Sequence, residues 1–380
     1  MLQTPQEPRN KTVPGNLINQ VINLYQKGDI PATLSQAQEL IQTYPDNPTL
    51  HNVLGACLSH TGQTKQALLH FKEALKLNPS NPAAYNNLGN ILTDLQQYEE
   101  AQKHFEYAIN IKPDFAEAHN NLGNVFKEQK EYEKAIPHYE KAININPNYF
   151  EAYNNLGVVF DKLKNYSEAE KALKKAIQLH PEFAEAYSNL GSVFTNQKKY
   201  SQAIKYFDQA IKINPNNAEV YYNLGIAFNK LKNYSKAKTT LLKAIQLSPK
   251  FVEAYSNLGS VFTDQKKYSQ AIQNFDHAIK INPNNAEAYN NKGTCLREEK
   301  QVDESIIAFD KALALNPNYA DAYYNKANSL QDQKEYQSAL MYYDKAIEYQ
   351  PENEETYNNY GVTLNKLKYY KQAIFYFHKA

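Results

Sequence analysis

Bulky apolar residues recur along this chain at steps of three and four, in short runs broken by polar turns. One pair of runs shows the pattern: Tyr187, Leu190 and Phe194, then Ala203, Phe207 and Ala210. Each set lies on one face of a helix. The polar stretch Gln197-Lys198-Lys199-Tyr200 between them is too short for anything but a turn. The pattern therefore predicts two antiparallel helices joined tightly.

That pair returns along the whole chain. Prolines stand at Pro45, Pro79, Pro113, Pro147, Pro181, Pro215, Pro249, Pro283, Pro317 and Pro351, every interval being 34 residues. We number each repeat so that this proline is position 32. Position 8 is then glycine from Gly55 to Gly361, with Ala327 as the one exception. Position 20 is alanine except at Ser305, and position 27 is alanine in all ten repeats, from Ala74 to Ala380. Position 4 is tyrosine in eight repeats and histidine at His51 and His119; position 24 is Phe, Tyr or Leu. Small residues at 8 and 20 let the two backbones approach, and the bulky residues beside them fill the seam. A larger residue at such a glycine should overpack it, at about 1–3 kcal/mol. The proline ends each repeat because it cannot continue a helix.

These residues carry a resemblance. An aromatic, Leu-Gly, a second aromatic, then Ala, an aromatic, Ala and Pro on this period resemble the tetratricopeptide repeat. Tyr255, Leu258, Gly259, Phe262, Ala271, Phe275, Ala278 and Pro283 are one instance. The resemblance implies an all-α fold, an alpha-alpha superhelix of stacked antiparallel helix pairs, right-handed in this family. It covers residues 48–380: nine full repeats over 48–353 and a truncated one over 354–380. Residues 14–47 read as a divergent capping unit, with stripes at Leu17, Val21, Leu24, Tyr25 and at Leu34, Ala37, Leu40, Ile41, and with Gly28-Asp29 as the turn. Residues 1–13 read as a loose leader. Lys292, Lys326 and Tyr360 replace the leucine of position 7 in the last three repeats. Their stems are expected to cover apolar surface while the charge reaches water. Tyr187–Ile204 and Tyr255–Ile272 differ only where Asn196 becomes Asp264, which marks a duplicated block and favours a repeating surface over one unique pocket.

Charge and composition narrow the function. Lys plus Arg is 41 and Asp plus Glu is 40, a formal net charge of +1. A nucleic-acid binder driven by bulk charge should be basic, so nucleic acid is not expected as a partner. Cys57 and Cys295 make no CxxC pair and no disulfide framework. No apolar run suits a signal peptide or a membrane span, so the chain reads as cytoplasmic and not membrane-bound. No phosphate-cradling loop, nucleophile elbow or paired metal motif occurs. No enzyme activity, cofactor or metal is expected.

In a stacked array, residues one period apart form rows. Position 6 is Asn87, Asn121, Asn155, Asn189, Asn223, Asn257, Asn291, Asn325 and Asn359, preceded by Val53. Asparagine is an indifferent helix former, so propensity does not explain the row. Its amide can both donate and accept, which suits the peptide bonds of an extended chain. The alternative is that it bonds the neighbouring repeat and only stiffens the array. The row resembles the asparagine ladder in the tetratricopeptide region of O-linked N-acetylglucosamine transferases, where the ladder holds a substrate backbone in the concave groove. Position 2 is acidic from Glu117 to Glu355, and position 15 is lysine from Lys130 to Lys368. The two rows are read as starting and ending the first helix, where acid and base complement its dipole. His70, His104 and His138 share position 23; equivalent residues lie about 8–10 Å apart in packed helix pairs, too far to converge on one ion. Cys57 and Cys295 share position 10 as small, partly buried fillers.

The expected function is a protein–protein interaction scaffold that binds an extended peptide or partner protein in the concave groove, through the asparagine row. The alternative is the N-terminal, substrate-recruiting region of a larger transferase. The lysines and asparagines that clamp the carboxylate of a chaperone tail in some members are not met: position 5 is Asn, Ser or Tyr and position 2 is acidic. Ala380 stands at position 27 of its repeat, after Ile374-Phe375-Tyr376-Phe377. The expectation is that the chain continues beyond it; self-association through that aromatic end is the other reading.

Overall fold

The computed structural model describes residues 13–380. All of the leader read over 1–13 except Val13 lies outside the described residues. Among the described residues there are 22 helices and no strand. They form two compact units, one ending at Val193 and the other beginning at Phe194. In each unit the helices run in antiparallel pairs, and successive helices pack together from Gly15–Gln26 to Tyr166–Leu179 and from Tyr200–Ile213 to Tyr370–Phe377. The first pair is Gly15–Gln26 with Ile30–Thr43, followed by Pro48–His60 with Thr64–Leu77. The fold class is the all-α stack of helix pairs that the period predicts.

Local chemistry sets the boundaries. Asn47, Asn81, Asn217, Asn285 and Asn353 cap first helices by accepting hydrogen bonds from backbone N–H groups of the opening turn. The acidic row falls in that turn, as at Glu117 and Glu219, where it complements the helix dipole. Each second helix ends two residues before its proline; Thr64–Leu77, for example, is followed by Pro79.

The lysine row departs from the expectation. The helix Ala116–Glu128 stops two residues short of Lys130, so the lysine lies past the helix rather than in its last turn. Lys130 N donates to Lys127 O at 3.0 Å and Glu131 N to Phe126 O at 2.8 Å. These are the paired bonds of a Schellman motif, which puts its closing residue in the left-handed region. Lys130, Lys164, Lys198, Lys232, Lys266, Lys300, Lys334 and Lys368 all have φ between 58° and 67°; Gly28 and Gly62 hold the same place at 77° and 75°.

The core is built on the glycines of position 8. A Cβ added at Gly55, Gly89 or Gly123 would come within 2.7 Å of a ring carbon of Phe71, Phe105 or Tyr139, the residue at position 24. The glycine thus seats a ring from the partner helix, more than it brings two backbones together. Cys57 and Cys295 are fully buried rather than partly so. Burial raises both thiols, Cys57 to about 11. Lys326 also departs from the expectation, because its charge does not reach water. Its Nζ donates to Asp310 Oδ1 at 2.5 Å and to Tyr342 Oη at 2.7 Å, and the residue is buried.

Candidate functional site

All nine position-6 asparagines lie on first helices and are half-buried, neither core nor free surface. Seven of them reach the preceding repeat. In the first unit Asn87 Nδ2 donates to Asn52 Oδ1 at 3.2 Å, Asn121 to Asn86 at 3.1 Å, Asn155 to Asn120 at 3.1 Å and Asn189 to Asn154 at 2.9 Å. In the second unit Asn257 donates to the Tyr222 hydroxyl at 3.1 Å, Asn325 to Asn290 Oδ1 at 3.0 Å and Asn359 to the Tyr324 hydroxyl at 2.9 Å. Each of these acceptors stands at position 5, and Asn359 has a second one in that repeat, Asn328 Oδ1 at position 9. The row is therefore a ladder between repeats, as one of the two sequence readings had it.

Position 5 decides where the ladder breaks. Serine occupies it at Ser256 and is too short to reach the next repeat. Ser256 Oγ is buried with no partner, and Asn291 Nδ2 makes no bond to it. Asn223 likewise donates to no side chain among the described residues. The ladder leaves chemistry unused elsewhere as well. Each bonded amide uses one N–H toward position 5; Asn257 gives the second to the Glu253 carbonyl at 3.0 Å and Asn359 gives it to Asn328 Oδ1 at 3.1 Å, while the other five keep it. The Oδ1 atoms of Asn87, Asn155, Asn189, Asn257, Asn325 and Asn359 accept from no donor among the described residues, and none of them is an orphaned buried atom. Those of Asn121 and Asn291 accept only long bonds of 3.4 Å, from Asn120 and Asn290. Glu185, of the acidic row, accepts from Asn154 Nδ2 at 3.0 Å, so that row touches the ladder.

The histidines at position 23 turn toward position 4 of their own repeats. His70 Nδ1 lies 2.9 Å from His51 Nδ1, and His51 Nε2 donates to the Pro45 carbonyl at 2.8 Å. His104 stacks on Tyr85 with ring centres 5.8 Å apart, and His138 on His119 at 6.0 Å. Burial lowers the pKa of His70, His104, His119 and His138. Among the described residues no three ligating side chains come together around a common point. A cavity of about 810 Å³ opens beside the turns at Leu231–Tyr234 and at Gln265 and Lys267, away from the row, and collects no acid–base pair.

Residues 24–290 match the family profile of the C-terminal domain of cilia and flagella-associated protein 70, a tetratricopeptide-repeat domain, and residues 286–319, 320–353 and 354–380 match tetratricopeptide-repeat profiles. The chain belongs to the tetratricopeptide-repeat family. No curated protein sequence matches it significantly. Among solved structures it resembles yeast Tom70, at 16% identity over 96% of this chain and 90% of that one, with a TM-score of 0.50. It also resembles the Cut9–Hcn1 hetero-tetramer of the APC/C, at 14% identity over 92% and 96%, with a TM-score of 0.51. YrrB, described as a tetratricopeptide-repeat protein with an unusual peptide-binding site, is 27% identical over 48% of this chain and 95% of its own, with a TM-score of 0.40. At identities this low the first two likenesses bear on the fold alone. No helix among the described residues of this tetratricopeptide-repeat chain is long and apolar enough to cross a membrane.

Proposed function

We propose that this chain is an interaction scaffold which holds an extended segment of a partner protein against the asparagine row. Tetratricopeptide-repeat arrays are generally non-catalytic scaffolds for other proteins, and the row supplies a specific means of binding. One observation carries the reading: at Asn87, Asn155, Asn189 and Asn325 the bond to position 5 fixes the amide in place while its Oδ1 and second N–H take no partner among the described residues. A fixed amide with a free acceptor and a free donor matches a peptide bond, which offers one of each. Ordering is complete before the partner arrives, so less conformational entropy is lost on binding. Backbone recognition of this kind selects an extended chain without selecting its sequence.

Asn223 and Asn291 separate binding from stacking, because neither makes a bond across repeats. Peptides selected from a displayed random library against the full chain provide the probe. Replacing both asparagines with alanine should weaken those peptides at least several-fold while the urea midpoint stays within error of wild type. Unchanged peptide affinity in the double variant and in a second one with Asn155→Ala and Asn189→Ala, the fold intact in both, would reduce the row to a structural ladder.

A further inference from the structure

Positions 11 and 23, on paired helices, between them carry at least one ring in nine of the ten repeats. Position 11 is leucine in five repeats, Leu58, Leu92, Leu296, Leu330 and Leu364. In four of these repeats position 23 is a ring: His70, His104, Tyr342 and Tyr376. Where position 11 is phenylalanine, position 23 can be small, as in Phe160 with Ala172 or Phe228 with Thr240. The repeat over 286–319 has neither filler, pairing Leu296 with Ala308. A cavity of about 520 Å³ opens there, lined by Ile272, Tyr289, Lys292, Leu296, Ile307 and Ala308 among others. No asparagine of the row lines it.

The next repeat shows what fits. Tyr323, Lys326 and Asp310 stand one period after Tyr289, Lys292 and Asp276. Lys292 Nζ donates to Asp276 Oδ1 at 2.6 Å, as Lys326 does to Asp310 at 2.5 Å. Tyr342 completes the second set. Its ring centre lies 4.1 Å from Lys326 Nζ, its hydroxyl accepts from that nitrogen at 2.7 Å, and its ring stacks on Tyr323 at 6.2 Å. Under the ring the Lys326 side chain is 8% exposed; without one, Lys292 is 26% exposed. The first set thus keeps the ammonium, its carboxylate and the stacking tyrosine, and lacks only the phenol.

We propose that the cavity beside Ala308 receives a tyrosine side chain from a partner polypeptide, seated as Tyr342 is seated one repeat later. The rim favours a polypeptide over a free phenol. Ile307, at position 22 on the cavity's wall, is 61% exposed, more than a lone phenol in the cavity would cover. A chain presenting its tyrosine here would bury it.

The probe is the tripeptide acetyl-Gly-Tyr-Gly-amide, titrated into the full chain with methyl-labelled Ile, Leu and Met and followed by NMR. The expected result is a saturable shift of the Ile272, Leu296 and Ile307 methyls. The Gly-Phe-Gly counterpart should bind about fivefold more weakly, for want of the hydroxyl bond to Lys292. A308Y should abolish the shifts by filling the cavity; L296F is the second filler if A308Y fails to fold. No shift at millimolar tripeptide, or equal binding by a folded filler variant, overturns the proposal. Shifts with 4-methylphenol but none with the tripeptide overturn the assignment to a polypeptide. Neither failure touches the asparagine row, whose test uses other residues and other peptides.

Discussion

Replacing Lys198, Lys232 and Lys266 with glycine should raise stability. All three sit at position 15 with φ of 60°, 58° and 58°, they are exposed, and each donates its backbone N–H to close a Schellman motif. An L-residue in the left-handed region costs about 1–2 kcal/mol, because Cβ crowds the following carbonyl oxygen. Glycine removes that cost and returns about 0.5–1 kcal/mol of it as chain entropy lost on folding. The net gain is about 0.5–1 kcal/mol per site. The sites share no side-chain partner, so the three should sum to about 1.5–3 kcal/mol. With a urea slope of about 3 kcal/mol/M, the midpoint should rise by about 0.5–1 M. The matched control is alanine at the same three sites, which removes the charge and keeps the strain. If the glycine variant melts at or below the alanine variant in urea, conformational strain is not what position 15 costs.

Other outcomes follow from the same geometry. Gly259→Val should destabilise by at least about 1–3 kcal/mol in urea titrations, since even a Cβ there falls 2.7 Å from the Phe275 ring. Stability of the first unit should fall with acid: burial depresses His70, His104, His119 and His138 below the ordinary 6.5. The native state then binds fewer protons than the unfolded chain, so their contribution is complete above pH 6.5 and is lost as pH falls through the depressed values. Urea midpoints measured between about pH 7.5 and 5 should show that decline, and His104→Phe should reduce it. Asp310→Ala should cost more than Asp276→Ala, about 2 against about 1 kcal/mol, because it strips the partner from the more deeply covered lysine; equal losses in denaturation would refute the difference.

The period made the fold legible. Proline, glycine and alanine at fixed offsets specify helix pairing and turn placement, because each answers to a local constraint. Rows were legible as rows, yet their causes were not. The lysines of position 15 looked like helix-ending charges. The clue to the left-handed turn lay in Gly28 and Gly62, which hold the same offset in two early repeats. Lys326 looked like a snorkelling stem because its partners are far away in sequence: Asp310 lies 16 residues before it and Tyr342 16 after. The asparagine row offered two readings that sequence could not separate. The hydrogen-bond partner at position 5 belongs to a different repeat, and only the stacking geometry brings it into reach.

Repetition also turns each repeat into a control for its neighbours. A missing side chain in an ordinary domain has no reference, so a cavity there says little about its occupant. Here the reference is one period away. Ser256 in place of Asn or Tyr shows that the ladder needs a side chain of a certain length, since Asn291 then goes without its bond while Asn325, facing Asn290, keeps it. Ala308 in place of a tyrosine shows the same for the apolar layer, since Lys292 stays bonded to Asp276 while the ring that would cover it is absent. In both cases the loss is confined to one repeat and the fold on either side keeps its pattern. A stack that contacts only its neighbours tolerates such gaps without global cost. That tolerance allows individual repeats to lose a structural contact and keep the freed group for a partner.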